Sequence, residues 1–267
     1  MSRDRPSTPS SLAFAPGQFA GRVAVVTGGT SGIGAAVVRA LAAAGAEVYF
    51  LGLIGSQGRR LEEELGAAAG KARFAAVDVR DAAALARFFG DLKEAGRIPA
   101  FAVNAAGVNH PPVRLVDMDE ALARAVMETN FWGAFRAMRH EIALMREAGF
   151  GRIVNIVSVL AGAPAPWMAA YGASKDALLA LTRTAAAECG ELGIRVRALS
   201  PGPTDTPMFH RAMIEIAGDP AKYAGGLPPA GPQPAEAVAR AALYLLSEEG
   251  AAWPGIELVL DGAPRLR

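Results

Sequence analysis

The run RVAVVTGGTSGIGAAVVRALAAAGAEVYFLG, residues 22–52, decides the fold. Its first six residues are almost wholly apolar and β-prone, as in a strand covered on both faces. TGGTSGIG follows, with glycines at 28, 32 and 34 that permit tight turns and close approach of a ligand to the main chain. From Ser31 the pattern becomes helical, with Ile33, Val37 and Leu41 on one stripe until Gly45 ends it. EVYFL, residues 47–51, then reads as a second strand.

Working outward, further strand candidates are ARFAAVD (72–78), FAVNA (101–105), RIVNIVS (152–158), IRVRALS (194–200) and IELVLD (256–261). Helical stretches cover about 81–96, 119–148, 172–191 and 235–247. Alternation of β and α predicts an α/β fold, a Rossmann-type doubly wound, seven-stranded parallel sheet with helices on both faces. No composition break divides residues 20–267, which are expected to form one domain. Residues 203–234 mix Pro, Gly and Met, and such an irregular insertion is expected to be a lid or substrate loop.

Residues 1–19 read as a loose leader rich in Ser, Pro and Arg, whose only apolar patch, LAFA, is too short for a signal segment. No apolar run approaches the roughly 20 residues that cross a bilayer, and a cytoplasmic protein is expected. A hydrophobic share of 52% with 20% charged residues describes a compact chain rather than a disordered one. The net charge of +1 offers no case for nucleic acid or an anionic membrane as partner. One cysteine excludes an internal disulfide, and three scattered histidines have no metal-ligand spacing.

A glycine-rich turn can be only a turn. Here it lies between a first strand and a first helix, whose N-terminal N–H groups and partial positive charge suit a pyrophosphate. Further along, Asp78-Val79, NAAG at 104–107, Asn130, Ser158, YGASK at 171–175 and Pro201-Gly202 follow in order, with Ser158 thirteen residues before Tyr171. Across about 20–263 the chain resembles the single-domain branch of the short-chain dehydrogenase/reductase family.

That resemblance implies a nicotinamide dinucleotide held by Gly28, Thr30, Ser31, Gly32, Ile33 and Gly34 in the first turn, and by Gly52 and Leu53 after the second strand. Asp78 and Val79 would meet the adenine, with helix capping the other reading of Asp78. Asn104, Ala105, Ala106 and Gly107 would line the cofactor; Ala105 replaces the family's second asparagine. Pro201, Gly202, Thr204 and Thr206 would face the nicotinamide and its carboxamide. Asn130 would bend its helix and hold a water near the lysine, although a plain buried amide is also open.

Hydride exchange with a carbinol carbon needs a proton carried to or from the alcohol oxygen. A free phenol is a poor base near neutrality, and an ammonium one helical turn away favours the phenolate. By likeness Tyr171 is the acid/base, Ser158 anchors the oxygen, and Lys175 tunes Tyr171 and clamps the nicotinamide ribose; Tyr171 and Lys175 thus also touch the cofactor. No acid stands at Gly52 to bind ribose hydroxyls, and no base at Ser31 or Leu53 to bind a 2′-phosphate. Arg59 and Arg60 could reach one, yet read equally as solvated helix residues. NAD and NADP both stay open, with NAD the preferred reading.

A secondary alcohol or ketone of modest size is the expected substrate, in a largely apolar pocket drawn from Val159, Leu160, Trp167, Met168, Met208, Phe209 and Met213. Asn109, His110 and His210 are candidate polar contacts. The alternatives are reduction of a 3-oxoacyl thioester and, from another class, a non-catalytic dinucleotide sensor or scaffold. Family likeness further implies a homotetramer or dimer built on the 119–148 and 172–191 helices. Nothing in the sequence gives Arg197 a functional role.

Overall fold

The computed structural model describes residues 17–68, 70–216, 231–253 and 255–261. In these, the strands in chain order are β1 (Val23–Thr27), β2 (Glu47–Gly52), β3 (Lys71–Ala76), β4 (Pro99–Asn104), β5 (Gly151–Ile156), β6 (Ile194–Pro201), β7 (Thr204–Asp205), β8 (Gln233–Pro234) and β9 (Glu257–Leu260). The helices are α1 (Gly32–Ala43), α2 (Gly55–Glu64), α3 (Ala82–Glu94), α4 (Glu120–Met127), α5 (Ala134–Ala148), α6 (Ala169–Cys189), α7 (Pro207–Ile216), α8 (Ala235–Leu246) and α9 (Glu248–Ala251). The central sheet runs β3-β2-β1-β4-β5-β6-β9, seven strands and all parallel. Every expected strand is in it.

The central strands are buried throughout because helices cover both faces. One layer packs α1 and α8 on the sheet, around Val37, Leu41, Phe50, Phe101, Val238 and Leu246. The other face carries α3, α5 and α6, whose Leu85, Phe89, Met138, Met145 and Leu178 fill separate clusters. Strand order reverses between β1 and β4, which opens a crevice above their carboxyl ends.

Local chemistry sets the boundaries. Gly45 ends α1 at φ +89, a conformation costly for other residues. The Asp81 carboxylate accepts from the backbone N–H groups of Ala83 and Ala84, both at 2.9 Å, and so starts α3. The expected helix 119–148 is interrupted: Glu128–Gly133 form a π-helical segment between α4 and α5, with Asn130 inside it. Segments of this kind recur at functional sites.

Residues 203–234 are less irregular than expected. They contain α7, and the two-residue β7–β8 pair brings the start and end of the segment together. Residues 217–230 of that loop and 1–16 of the expected leader lie outside the described residues. Phe19, counted with the leader by sequence, is buried against Phe101 at 5.0 Å between ring centres.

Candidate active site

The first turn folds onto the end of β4. Gly28 sits at φ +67, and a Cβ there would lie 2.6 Å from Ala106 Cα, so backbone meets backbone. A Cβ on Gly34 would strike the Gly28 carbonyl oxygen. Ser31 occupies the N-cap of α1 but makes no side-chain cap, leaving the N–H groups of the first turn without a side-chain acceptor among the described residues. Ile33 packs down against the core.

Thr30 fills the space beside Gly52, where a Cβ would come within 2.5 Å of its methyl group. Leu53 is exposed, and Arg59 turns its guanidinium back to within 3.3 Å of where a Gly55 Cβ would stand. The Asp78 carboxylate pairs with Arg80 at 2.7 Å, which holds it below the usual carboxylate range. Helix capping is the work of Asp81, three residues on. Val79 is buried, and a Cβ on Gly133 of the π-helical segment would lie 2.6 Å from its methyl.

On the other side of the crevice, Thr206 approaches Gly32, whose Cβ would be 3.1 Å from the threonine methyl. Its hydroxyl accepts from Phe209 N–H at 3.2 Å and starts α7. The buried Thr204 hydroxyl donates to the Gly202 carbonyl at 2.9 Å, and Gly202 N–H to Leu260 at 2.8 Å. Pro201 is the last residue of β6.

Ser158 follows β5, while Tyr171 and Lys175 lie one turn apart on α6. Burial pushes the Tyr171 phenol up, and a hydrogen bond with Ser158 opposes that rise. Lys175 is buried, which brings its ammonium down to about 8. Its Nζ donates to the Ile156 carbonyl at 2.8 Å and lies 5.7 Å from the Tyr171 ring centre. Among protein groups alone, burial therefore outweighs the effect expected of Lys175 on the phenol. Gly107 leaves room beside them, its Cβ position being 3.6 Å from Lys175 Nζ.

Asn130 is a clamp. Its Oδ1 accepts from Val108 N–H at 2.8 Å, and its Nδ2 donates to the Val108 carbonyl at 2.9 Å and to Ser174 Oγ at 3.0 Å. Ser174 in turn donates to the Tyr171 carbonyl at 2.7 Å. One amide thus joins the loop after NAAG to the turn that carries the tyrosine. Sequence reasoning passed over Ser174, although a serine three residues after another helical residue commonly bonds back to its carbonyl.

Glu141, Asn155 and Thr182 were also missed. Asn104 does not stand alone: Nδ2 donates to Glu141 Oε2 and Asn155 Oδ1, both at 3.0 Å, and Oδ1 accepts from Thr27 at 3.3 Å. Asn155 Nδ2 donates to Thr182 Oγ1 at 2.9 Å. His110 is buried, with Nδ1 2.8 Å from the Pro111 carbonyl and Nε2 without a partner. Trp167 holds φ +64, a left-handed conformation strained for so bulky a residue, and its carbonyl accepts from Val113 N–H at 3.2 Å. His210 is exposed and lies 2.6 Å from Asp205.

Arg197 has a structural role. Its buried guanidinium donates to the Gly250 carbonyl, to Trp253 at 2.7 Å and to Ala251 at 3.4 Å, tying the end of α9 to β6. A groove of about 570 Å³ lies between Leu115, Met118, α4, Trp132 and the start of α6; Ser158, Tyr171 and Lys175 do not line it. Among the described residues no three His, Cys, Asp or Glu side chains gather as a metal site, and no helix is long and apolar enough to cross a membrane.

Against known proteins, residues 22–215 match the family model for short chain dehydrogenases. The chain belongs to the short-chain dehydrogenase/reductase family. This dehydrogenase is 36% identical over 256 residues to the 2,5-dichloro-2,5-cyclohexadiene-1,4-diol dehydrogenase of Sphingobium indicum, covering 91% of this chain and 97% of the relative. It is 37% identical to the D-threitol dehydrogenase of Mycolicibacterium smegmatis, covering 91% and 92%. Among solved structures, levodione reductase superposes with a TM-score of 0.86 at 26% identity, covering 92% of this chain and 98% of that one. The dehydrogenase is an NAD(P)-dependent oxidoreductase acting on alcohols and ketones.

Proposed function

We propose that Tyr171 exchanges the proton of a secondary alcohol while Ser158 holds the alcohol oxygen, and that Lys175 and Asn130 keep both in place. The observation that carries this is the convergence of Ser158 and Tyr171, with Lys175 one turn on and its Nζ 5.7 Å from the phenol ring centre, next to the crevice where Gly28 closes on Ala106. A dinucleotide reading of the crevice is supported by the N-terminus of α1, where Ser31 makes no side-chain cap, while Gly28 and Gly34 let the turn close tightly on Ala106 and on itself. When bound, the nicotinamide supplies or accepts the hydride.

In oxidation the phenolate takes the hydroxyl proton as the carbinol hydrogen leaves as hydride; in reduction the phenol returns it. Ser158 can donate to the substrate oxygen while charge develops there. The ammonium of Lys175, positioned by the Ile156 carbonyl, favours the phenolate. Ser174 and Asn130 fix the backbone under Tyr171.

For the cofactor, Ser31 and Leu53 bring no charge to the ribose and Thr30 fills the space at Gly52, which supports NAD as the preferred form. Arg59, without an ion pair among the described residues, would carry the remaining use of NADP. For the substrate, we infer a cyclic alcohol or a polyol with a second hydroxyl. The relatives named for a cyclohexadiene diol and for threitol support this, and so does His110. Because the Pro111 carbonyl only accepts, the neutral ring carries its proton on Nδ1, and Nε2 is an acceptor still lacking a donor. The loop bearing it runs from Val108, clamped by Asn130, to Val113, clamped by Trp167.

We further infer a cytoplasmic homo-oligomer, dimer or tetramer, meeting across α4 and α6, where Leu115, Val116 and Trp132 are exposed beside the groove. The decisive experiment is a panel of cyclic alcohols, polyols and ketones run with NAD, NADP and their reduced forms, on wild type and Tyr171→Phe. Wild type is expected to turn over a member of the panel. The phenylalanine variant should lose about 10²–10⁴-fold in kcat and still bind cofactor. Equal turnover by both proteins refutes the role of Tyr171.

A further inference from the structure

Glu141 lies on the sheet-facing stripe of α5 and exposes none of its surface. Its Oε2 accepts from Asn104 Nδ2 at 3.0 Å, and Oε1 has no partner. No cation faces it. On α6, Lys175 donates to the Ile156 carbonyl; on α3, Lys93 pairs with Glu147. On β5, Arg152 serves the Gly151 and Gly193 carbonyls and reaches towards Glu248. On β6, Arg197 serves the α9 carbonyls. Beside Glu141 on α5, His140 stacks on Phe89 of α3. Cys189 ends α6 as a thiol that burial pushes up.

A buried carboxylate with one amide donor and no cation is costly, whereas the neutral acid is much less so. Burial pushes this carboxyl up to about 8, the Asn104 amide opposing only in part. The acid's proton falls to Oε1, the oxygen that lacks a donor, and leaves Oε2 to accept from Asn104.

We propose that Glu141 is a positioning residue, held as the neutral acid, which sets the cofactor floor of the site through Asn104. The proposal rests on the dinucleotide reading of the crevice. Asn104 is the last residue of β4 and leads directly into Ala105-Ala106-Gly107. Through Thr27 it reaches Ala106, whose N–H donates to Thr27 Oγ1 at 3.4 Å, and Ala106 in turn abuts Gly28. Through Asn155 it reaches Thr182, two turns beyond Lys175 on the same helix. The carboxyl therefore anchors a chain of amides and hydroxyls joining both cofactor turns to the helix of the tyrosine. Ionised, it would hold Asn104 harder and demand a second donor at Oε1, and the chain would have to shift.

The test compares wild type with Glu141→Gln and Glu141→Leu from pH 6 to 9.5. It reads the cofactor KM and kcat with saturating substrate, and cofactor Kd by calorimetry in a Tyr171→Phe background. The glutamine variant, neutral at every pH, should match wild type at pH 7. Lys175 titrates alike in both proteins, so any alkaline change it brings is shared; beyond it, wild-type cofactor binding should weaken about tenfold more than that of the glutamine variant as pH passes 8. The leucine variant should bind cofactor about tenfold more weakly at all pH values with kcat little changed; if it does not fold, the glutamine variant decides alone. The proposal is overturned if glutamine loses affinity at pH 7, since a carboxylate would then be required. It is also overturned if wild type and the glutamine variant weaken equally as pH passes 8, or if wild type shows no weakening. Should wild type bind neither NAD nor NADP, the dinucleotide reading itself fails.

Discussion

Buried polar groups occur towards both ends of the central sheet, and the two sets are treated differently. Towards the amino ends, Arg197 directs its donors to three backbone carbonyls, and Arg152 serves the Gly151 and Gly193 carbonyls with only Nε left over. Towards the carboxyl ends, Glu141 keeps a bare oxygen and His110 a bare ring nitrogen. A buried polar group that has found its acceptors holds the fold together. One still missing a partner carries a stability penalty, and that penalty has a use where a ligand or proton arrives.

The largest test of this contrast is pH. Glu141 has a folded value of about 8 against the ordinary 4.5, so between these the folded chain holds a proton that the unfolded chain has lost. Its contribution to stability is whole below 4.5 and falls with rising pH, by about 1 kcal/mol per unit, until about 8. Lys175 runs the other way: its folded value of about 8 lies below the ordinary 10.5, so stability rises with pH across that interval. The difference in melting temperature between wild type and Glu141→Gln should grow from pH 5 to 8. That between wild type and Lys175→Met should change only above 8. Parallel curves for either pair would break the assignment.

Next in size is Arg197→Met, which strips donors from carbonyls near the amino ends and should cost about 2–3 kcal/mol, seen as a lower denaturant midpoint. The kcat of the folded variant should be unchanged, and a loss there would erase the distinction between the two ends. His110→Leu should lower kcat/KM about tenfold for cyclohexane-1,4-diol and leave cyclohexanol untouched. Equal losses on both alcohols would make His110 a mere packing residue. The smallest effect is expected for Arg59→Ala, a few-fold drop in kcat/KM with NADP and none with NAD, read in parallel assays.

Much of this was legible beforehand, for reasons that can be traced to residues. The seven strands follow from apolar runs dense enough to be buried on both faces, and the ordered set from TGGTSGIG to YGASK identified the family. The bend at Asn130 came from likeness, since no residue in METNFWGAF announces a π-helical segment. Glu141 had a signal that went unused: it falls in register with Ala137, Met138, Leu144 and Met145, the buried stripe of α5. Read alone, an acid beside His140 passes for a surface residue. Arg197 likewise stands inside an apolar strand, but which carbonyls it meets depends on chain fifty residues away. The bare nitrogen of His110 depends on a turn geometry that no spacing encodes.

The left-handed Trp167 has an optical consequence. Its indole is half-buried on the segment leading to Tyr171, whereas Trp132 and Trp253 lie elsewhere on the surface. With those two replaced by phenylalanine, the emission of Trp167 would come from a single fluorophore four residues from Tyr171. Arrival of substrate could then be timed by stopped flow without a label.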